Sequence, residues 1–176
     1  MSQAIWKLIL TFVFFFASTI LYAQLPGNPP RLIQLTRKAG YMFSGTVLSV
    51  QRVGAKSNLE VDTVAVTFHV DKGLRGAKTG QTLVIREWSG LWSSRERYRP
   101  GERVFVFLYP TSRLGLTSTI ADDWARLAVA KGNRVALPGS MLEDLPISPA
   151  LKKEARQTHN LSLRQFAGAI RRASEE

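Results

Sequence analysis

Hydrophobic and polar residues alternate along several short segments of the sequence. The clearest alternation lies in residues 61–70, where Val64, Val66, Phe68 and Val70 are separated by polar or small residues. A hydrophobic period of two predicts a β-strand with one buried face. Other segments rich in apolar and β-branched residues predict three further strands, at residues 41–53, 81–88 and 103–109.

The segment at residues 41–53 is predicted to be the central strand of this sheet. Gly45 interrupts its apolar and aromatic residues, which predicts a bulge or a tight bend. Residues 103–109 are apolar on both faces, and this pattern predicts the most buried strand or one that lies under helices. Lys131-Gly132-Asn133 predicts a further hairpin turn. The strand pattern therefore favours a small, strongly bent antiparallel sheet.

The C-terminal region carries a helical pattern instead. Ser162 and Gln165 have the spacing of a capping box, in which each side chain bonds a backbone amide of the other residue. Apolar residues follow at helical spacing, so one face of this helix should pack on the sheet. Further helices are predicted after Ser148-Pro149 and within residues 31–39. The apolar stripe consists of Leu163, Phe166, Ala167 and Ile170.

The N-terminus has the composition of a secretory signal. Lys7 precedes an uncharged apolar run at residues 8–21, and Ala23 offers a small residue at a cleavage position. The run is shorter than the roughly 20 residues that a membrane span needs. We therefore expect residues 1–23 to be a cleaved signal peptide, with Gln24 as the new N-terminus and a periplasmic or secreted location. The alternative is an uncleaved membrane anchor.

The net charge indicates which partners are favoured, and the cysteine content indicates which covalent and metal sites are excluded. The chain has 24 Lys and Arg against 13 Asp and Glu, a net charge of +11, and loss of Lys7 with the signal would leave +10. This excess favours anionic partners, although many basic exported domains bind nothing specific. The absence of cysteine excludes disulfides and thiolate metal sites. Among anionic partners, an envelope polymer is favoured over nucleic acid, and membrane contact is expected only through the signal segment.

Four motifs then occur in order along the predicted strands: FSGTV at 43–47, VTFHV at 66–70, GLRG at 73–76 and GERVFV at 101–106. In this order the chain resembles the netrin-like domain, which tissue inhibitors of metalloproteinases share with other extracellular modules. It also resembles exported bacterial proteins that are built on the same core. The resemblance covers residues 39–119. It implies an OB-like, five-stranded antiparallel barrel with flanking helices.

This resemblance predicts the domain boundaries of the chain, but it transfers no functional residue of the family to it. A linker and short helix at 24–40 would precede a β-barrel domain at 41–137, and a helical extension at 138–176 would pack on the barrel. The inhibitors chelate the zinc of their target through an N-terminal Cys, whereas this chain has no Cys. The resemblance therefore implies the fold and no inhibitory residue.

No catalytic constellation is evident in the sequence. His69 lies on the polar face of a predicted strand and His159 lies between predicted helices, so the two histidines lack the spacing of a metal site. The acidic pairs at 122–123 and 143–144 have the composition of solvated turns. We therefore predict a chain that is not an enzyme and needs no metal or other cofactor.

The remaining candidate for function is the segment that joins the third and fourth predicted strands. Its aromatic residues could stack on a ligand while its arginines pair with anionic groups, as on OB-type ligand faces. The alternative is that the tryptophans pack on the sheet and that nearby glutamates neutralise the arginines. The candidate ligand-binding residues are Trp88, Trp92, Arg95, Arg97, Tyr98, Arg99 and Arg103.

Two functions remain open on this basis. The first is an exported, non-enzymatic binding module that recognises a protein or an anionic envelope polymer. The second is an inhibitor or accessory protein of a co-exported hydrolase, acting through an edge strand or a loop.

Overall fold

The computed structural model of the protein describes residues 31–55, 61–92 and 96–175. The predicted signal peptide, the linker at 24–30 and Arg95 lie outside these ranges. Within them, no helix has the length and apolar character needed to cross a membrane. The strands are β1 Tyr41–Val53, β2 Thr63–Arg75, β3 Thr82–Trp88, β4 Arg103–Leu108, β5 Arg126–Ala130, β6 Arg134–Ala136 and β7 Asn160–Ser162. The helices are α1 Leu32–Lys38, α2 Gly139–Glu143, α3 Pro149–Thr158 and α4 Leu163–Glu175, with short 3₁₀ turns at Ser89–Trp92 and Asp122–Ala125.

The seven strands form one antiparallel sheet in the order β3-β2-β1-β4-β5-β6-β7. The fold is therefore mainly β with C-terminal helices, as predicted, but the sheet is open and is not a closed barrel, so the predicted OB-like five-stranded barrel is not confirmed. The side of β4 that faces away from β1 pairs with β5, so β4 has no free side on which to close the sheet against β3. A backbone hydrogen bond from Thr117 N to Arg86 O links the edge of β3 to the segment that follows β4.

The central strand β1 is bent by irregular pairing. Its register with β2 shifts at three places, one of them between Ser44 and Gly45, which confirms the predicted bulge. A Cβ atom at Gly45 would come within 2.7 Å of the carbonyl oxygen of His69, so the close approach of β1 and β2 requires glycine here. The bends allow β1 to pair with β2 along its length and with β4 along its first half.

Strand β4 separates two hydrophobic cores. Phe105 and Phe107 face the core on the helical side of the sheet, whereas Val104, Val106 and Leu108 face the core inside the curve of β1, β2 and β3. All five side chains are fully buried. The prediction that residues 103–109 form the most buried strand is confirmed for these positions. The predicted inward face of β2 is confirmed as well, because its four alternating apolar residues are buried in the second core.

Helix α4 packs on the helical side of the sheet through its apolar stripe. Phe166 is fully buried, and its ring meets those of Phe105 and Phe107 edge-on. The predicted capping box is confirmed: Ser162 N donates to Gln165 Oε1 at 2.9 Å, and Gln165 N donates to Ser162 Oγ at 3.3 Å. Helix α1 packs against α4 in the same core.

The region after residue 137 also contributes to the sheet. Strand β7 pairs with β6, so residues 138–176 are not a purely helical addition to a separate β-domain. The predicted hairpin turn lies between β5 and β6, where Gly132 and Asn133 have φ values of 76° and 57°. The carbonyl of Asn133 accepts a hydrogen bond from Leu163 N at 2.7 Å. This contact fixes the first residue of α4 against the turn.

Candidate functional site

The structure buries three of the predicted ligand-binding residues. Trp92, Arg97 and Tyr98 are all less than 10% exposed, and the two aromatic rings belong to the core inside the curve of the sheet. The Tyr98 ring meets Phe68 edge-on with centroids 5.4 Å apart. The prediction that these three residues form an exposed ligand face is therefore corrected. They cover the open side of the second core, because their large apolar areas are removed from water there.

A buried ion pair holds this covering segment in place. Glu87 is fully buried on β3, and its Oε2 atom accepts a hydrogen bond from Trp92 Nε1 at 3.0 Å. Arg97 Nε lies 3.2 Å from the same oxygen. Arg97 also donates to the hydroxyl of Thr119 and, at 3.4 Å, to Asp122 Oδ1. One guanidinium thus connects β3, the segment after β4 and the turn before β5.

Burial dominates the electrostatics of this cluster. It raises the pKa of the Glu87 carboxyl above its usual value, although the Arg97 guanidinium and the Trp92 indole oppose the shift. Burial, aided by the Glu87 carboxylate, also raises the pKa of the Tyr98 hydroxyl well above its ordinary value. Glu87 Oε1 and the Tyr98 hydroxyl have no hydrogen-bond partner among the described residues. The cluster therefore holds buried charged and polar groups of β3 and of the segment after it together.

The other predicted residues lie apart from one another. Trp88 is 52% exposed, and it lines a groove of about 260 Å³ with Leu91 and Tyr109 whose described lining carries no charged side chain. Arg99 is exposed and pairs with Glu96 at 3.2 Å. The exposed ring of Trp88 and the guanidinium of Arg99 therefore do not form the combined aromatic and basic surface that was predicted for this segment.

Arg103 has two partners elsewhere on the molecule. Its guanidinium pairs with Asp71 at 3.3 Å and donates to Asn133 Oδ1 at 2.7 Å. It thereby orients the turn between β5 and β6. That turn borders a different concave surface, to which Arg103 contributes by positioning Asn133.

This second surface, which we call the basic pocket, is a cavity of about 510 Å³ between α4, the end of β2 and the β5–β6 turn. Lys72, Arg164 and Arg171 line it, and all three are exposed. Within the described ranges, none of the three forms an ion pair, and no carboxylate lines the cavity. The other lining residues are Gly132, Asn133, Ser162, Leu163 and Ala167.

The local sequence explains the shape of the basic pocket. Arg164, Ala167 and Arg171 lie at positions i, i+3 and i+7 of α4, which places them on one face of the helix. Ala167 is small and leaves space between the two arginines. Two of the first three amides of α4 are already used, since Leu163 N donates to Asn133 O and Gln165 N donates to Ser162 Oγ. The positive charge in the pocket therefore comes from side chains.

The chemical groups in the basic pocket suit binding of an anion. Its described lining contains no histidine and no carboxylate that could act as a base. Elsewhere in the described chain, no group of three or more His, Asp or Glu residues is placed to hold a metal ion. His69 is exposed on β2, and His159 ends α3 with a φ of 52°.

Sequence reasoning missed the basic pocket because its cations come from distant parts of the chain. The spacing of Arg164 and Arg171 on one helical face was a usable signal. Lys72 lies on a strand far from them in sequence, and only the folded sheet brings it to the same cavity.

Comparison of the chain with protein-family models, with curated proteins and with solved structures gave no match. The netrin-like resemblance therefore stays a prediction that rests on the four motifs, as does the alternative function as an inhibitor of a hydrolase.

Proposed function

We propose that the chain is an exported, non-enzymatic binding module for an anionic ligand, and that the basic pocket is its binding site. The observation that carries this proposal is a group of three cations in one cavity, none of which has an ion-pair partner among the described residues: Lys72, Arg164 and Arg171. Like charges placed together repel one another, so an anion in the cavity would relieve their repulsion as well as gain attraction. After loss of Lys7 with the signal, the exported chain would keep a net charge of +10, which favours the approach of an acidic polymer from a distance.

The contrast with the other arginines supports this assignment. Arg97, Arg103 and Arg126 pair with carboxylates of the chain and have charge partners already. The three cations of the basic pocket have no such partner in the described chain. They are therefore available to an external anion without breaking a contact of the fold.

Binding to a soluble polyanion tests the proposal. The protein is titrated into fluorescently labelled polyphosphate and, separately, labelled polygalacturonate, over a range of salt concentrations. The test variant replaces Lys72, Arg164 and Arg171 by alanine. The control variant replaces Lys78, Arg113 and Lys153, which are exposed, lie outside the pocket lining and carry the same total charge.

We expect the test variant to bind more weakly and to reduce the slope of log K against log salt by about two to three, because fewer counterions are released. The control variant should retain most of the affinity. Equal losses in both variants would show that binding follows net charge alone, and that the basic pocket is not the site.

A further inference from the structure

We propose, on the basis of the function proposed above, that the basic pocket binds the phosphate of a soluble phosphomonoester attached to a sugar-sized unit. Four features of the pocket favour this ligand: its total charge, the directions from which its cations come, its volume and the position of exposed apolar residues on the molecule.

The charge of the pocket exceeds what one carboxylate can neutralise. Lys72, Arg164 and Arg171 contribute three positive charges, and Asp71, beside Lys72 in sequence, is already paired with Arg103. A carboxylate carries a single negative charge, whereas a phosphomonoester carries about 1.5 to 2 at neutral pH. The phosphomonoester therefore compensates more of the charge of the pocket.

The cations also come from different walls. Lys72 lies on β2, and the two arginines lie on α4, seven residues apart. Seven residues correspond to about 10.5 Å along a helix, so a group held midway over Ala167 would be about 5 Å along the axis from each arginine. A carboxylate has two oxygens in one plane, which a single arginine can satisfy. A phosphomonoester has three terminal oxygens, one for each cation of the pocket.

The volume of the pocket allows for more than an inorganic phosphate. A cavity of about 510 Å³ lies in the usual range of sites for small organic molecules, roughly 300–1,000 Å³. Asn133 offers a side-chain amide in its wall, and Gly132, Leu163 and Ala167 leave an uncharged surface. These groups fit a hydroxyl-bearing unit that is linked to the phosphate.

The same chemistry on a lipid headgroup is less favourable here. Proteins that lie on membranes insert apolar side chains beside their basic residues. In the described chain, none of the large exposed hydrophobic residues lines the basic pocket. Those residues are Leu48, Val61, Val84, Trp88, Tyr109, Leu114 and Trp124. A soluble phosphate ester therefore suits this concave surface better than a bilayer does.

Calorimetric titration with matched sugars tests the ligand chemistry. The probes are glucose 6-phosphate, glucose 6-sulfate, glucuronate and glucose, each added to the full protein at low salt. We expect glucose 6-phosphate to bind at least about tenfold more tightly than glucuronate, because it can accept charge-assisted hydrogen bonds from more than one cation. Glucose should not bind. Glucose 6-sulfate, with three oxygens and one charge, should lie between the phosphate and glucuronate.

Two further measurements test whether binding depends on the charge of the phosphate and on the residues of the basic pocket. Affinity for glucose 6-phosphate should fall as the pH drops from about 7.5 to about 5, because the second pKa of the phosphate is about 6, whereas affinity for the sulfate should stay constant. Arg171→Ala and Lys72→Ala should each weaken binding of the phosphate by about tenfold or more. Lys153→Ala, which removes an exposed charge outside the pocket lining, should leave it unchanged.

Each outcome separates this inference from the proposed function. Equal affinity for glucuronate and glucose 6-phosphate would overturn the choice of phosphate while leaving an anion-binding module. Binding of glucose 6-phosphate that survives both pocket substitutions would place the site elsewhere and overturn the inference. Tighter binding to vesicles that contain phosphatidic acid than to the soluble ester would assign the phosphate to a lipid. Failure to bind the polyanions as well would overturn the proposed function itself.

Discussion

Replacement of Phe166 by alanine should destabilise the protein strongly. The side chain is fully buried. The centroid of its ring lies 5.1 Å from the ring centroid of Phe105 and 6.3 Å from that of Phe107, and both ring planes are nearly perpendicular to its own. Burial of a phenylalanine contributes about 1.5–3 kcal/mol, and each edge-to-face pair adds about 0.5–1.5 kcal/mol. Their loss agrees with the usual cost of about 3–5 kcal/mol for Phe→Ala in a core, which is the change in the free energy of unfolding that we expect.

Urea denaturation followed by circular dichroism measures this change. The midpoint should move to lower urea with little change in slope, because the surface exposed on unfolding stays nearly the same. Leu114→Ala is a suitable control, since Leu114 is 74% exposed and its loss should change stability by less than about 0.5 kcal/mol. A loss below about 1 kcal/mol for Phe166→Ala would refute the reasoning, because α4 would then contribute little to the core.

Two further predictions concern the buried carboxylate and export. Because the pKa of Glu87 is raised in the folded protein, the native state keeps its proton to higher pH than the unfolded state, and stability should fall as the pH rises from 4.5 through the raised pKa. The stability of the wild type relative to Glu87→Gln, measured by denaturation between about pH 4 and about pH 8, should therefore decrease with pH; a constant or rising difference would contradict this. N-terminal sequencing of the exported protein should begin at Gln24, and a mature chain that still contains Trp6 would indicate an anchor.

Local patterns predicted much of the fold. The alternation in β2, the bulge at Gly45 and the capping box at Ser162 each depend on residues within a few positions, so the sequence states them directly. Whether the sheet closes into a barrel depends on which strand forms hydrogen bonds with the side of β4 that faces away from β1. In the structure β5 pairs with this side of β4, and the hydrophobic pattern of β5 does not indicate which strand it pairs with.

The burial of charged residues was the main error at the candidate site. Leu83 and Ile85 indicate the inward face of β3, and the same period of two places Glu87 inward and Trp88 outward. Glutamate is rarely buried unless it is paired, so residue polarity alone would place Glu87 at the surface. The partner, Arg97, lies in the following connection, and only the fold brings its guanidinium to the carboxylate. The alternation pattern was therefore more informative than residue polarity.

The contact between α1 and α4 has a consequence for how the chain is made. Thr36 of α1 and Ala173 of α4 approach each other across 137 residues of sequence. During synthesis, α1 leaves the ribosome long before α4 exists, so the core that contains Leu32 and Leu35 lacks its α4 members, among them Phe166 and Ile170, until that helix is made. The core on the helical side of the sheet is therefore complete only after α4 has been made. Late completion of this core would suit the proposed export, because a chain that has not finished folding can still enter a translocation channel.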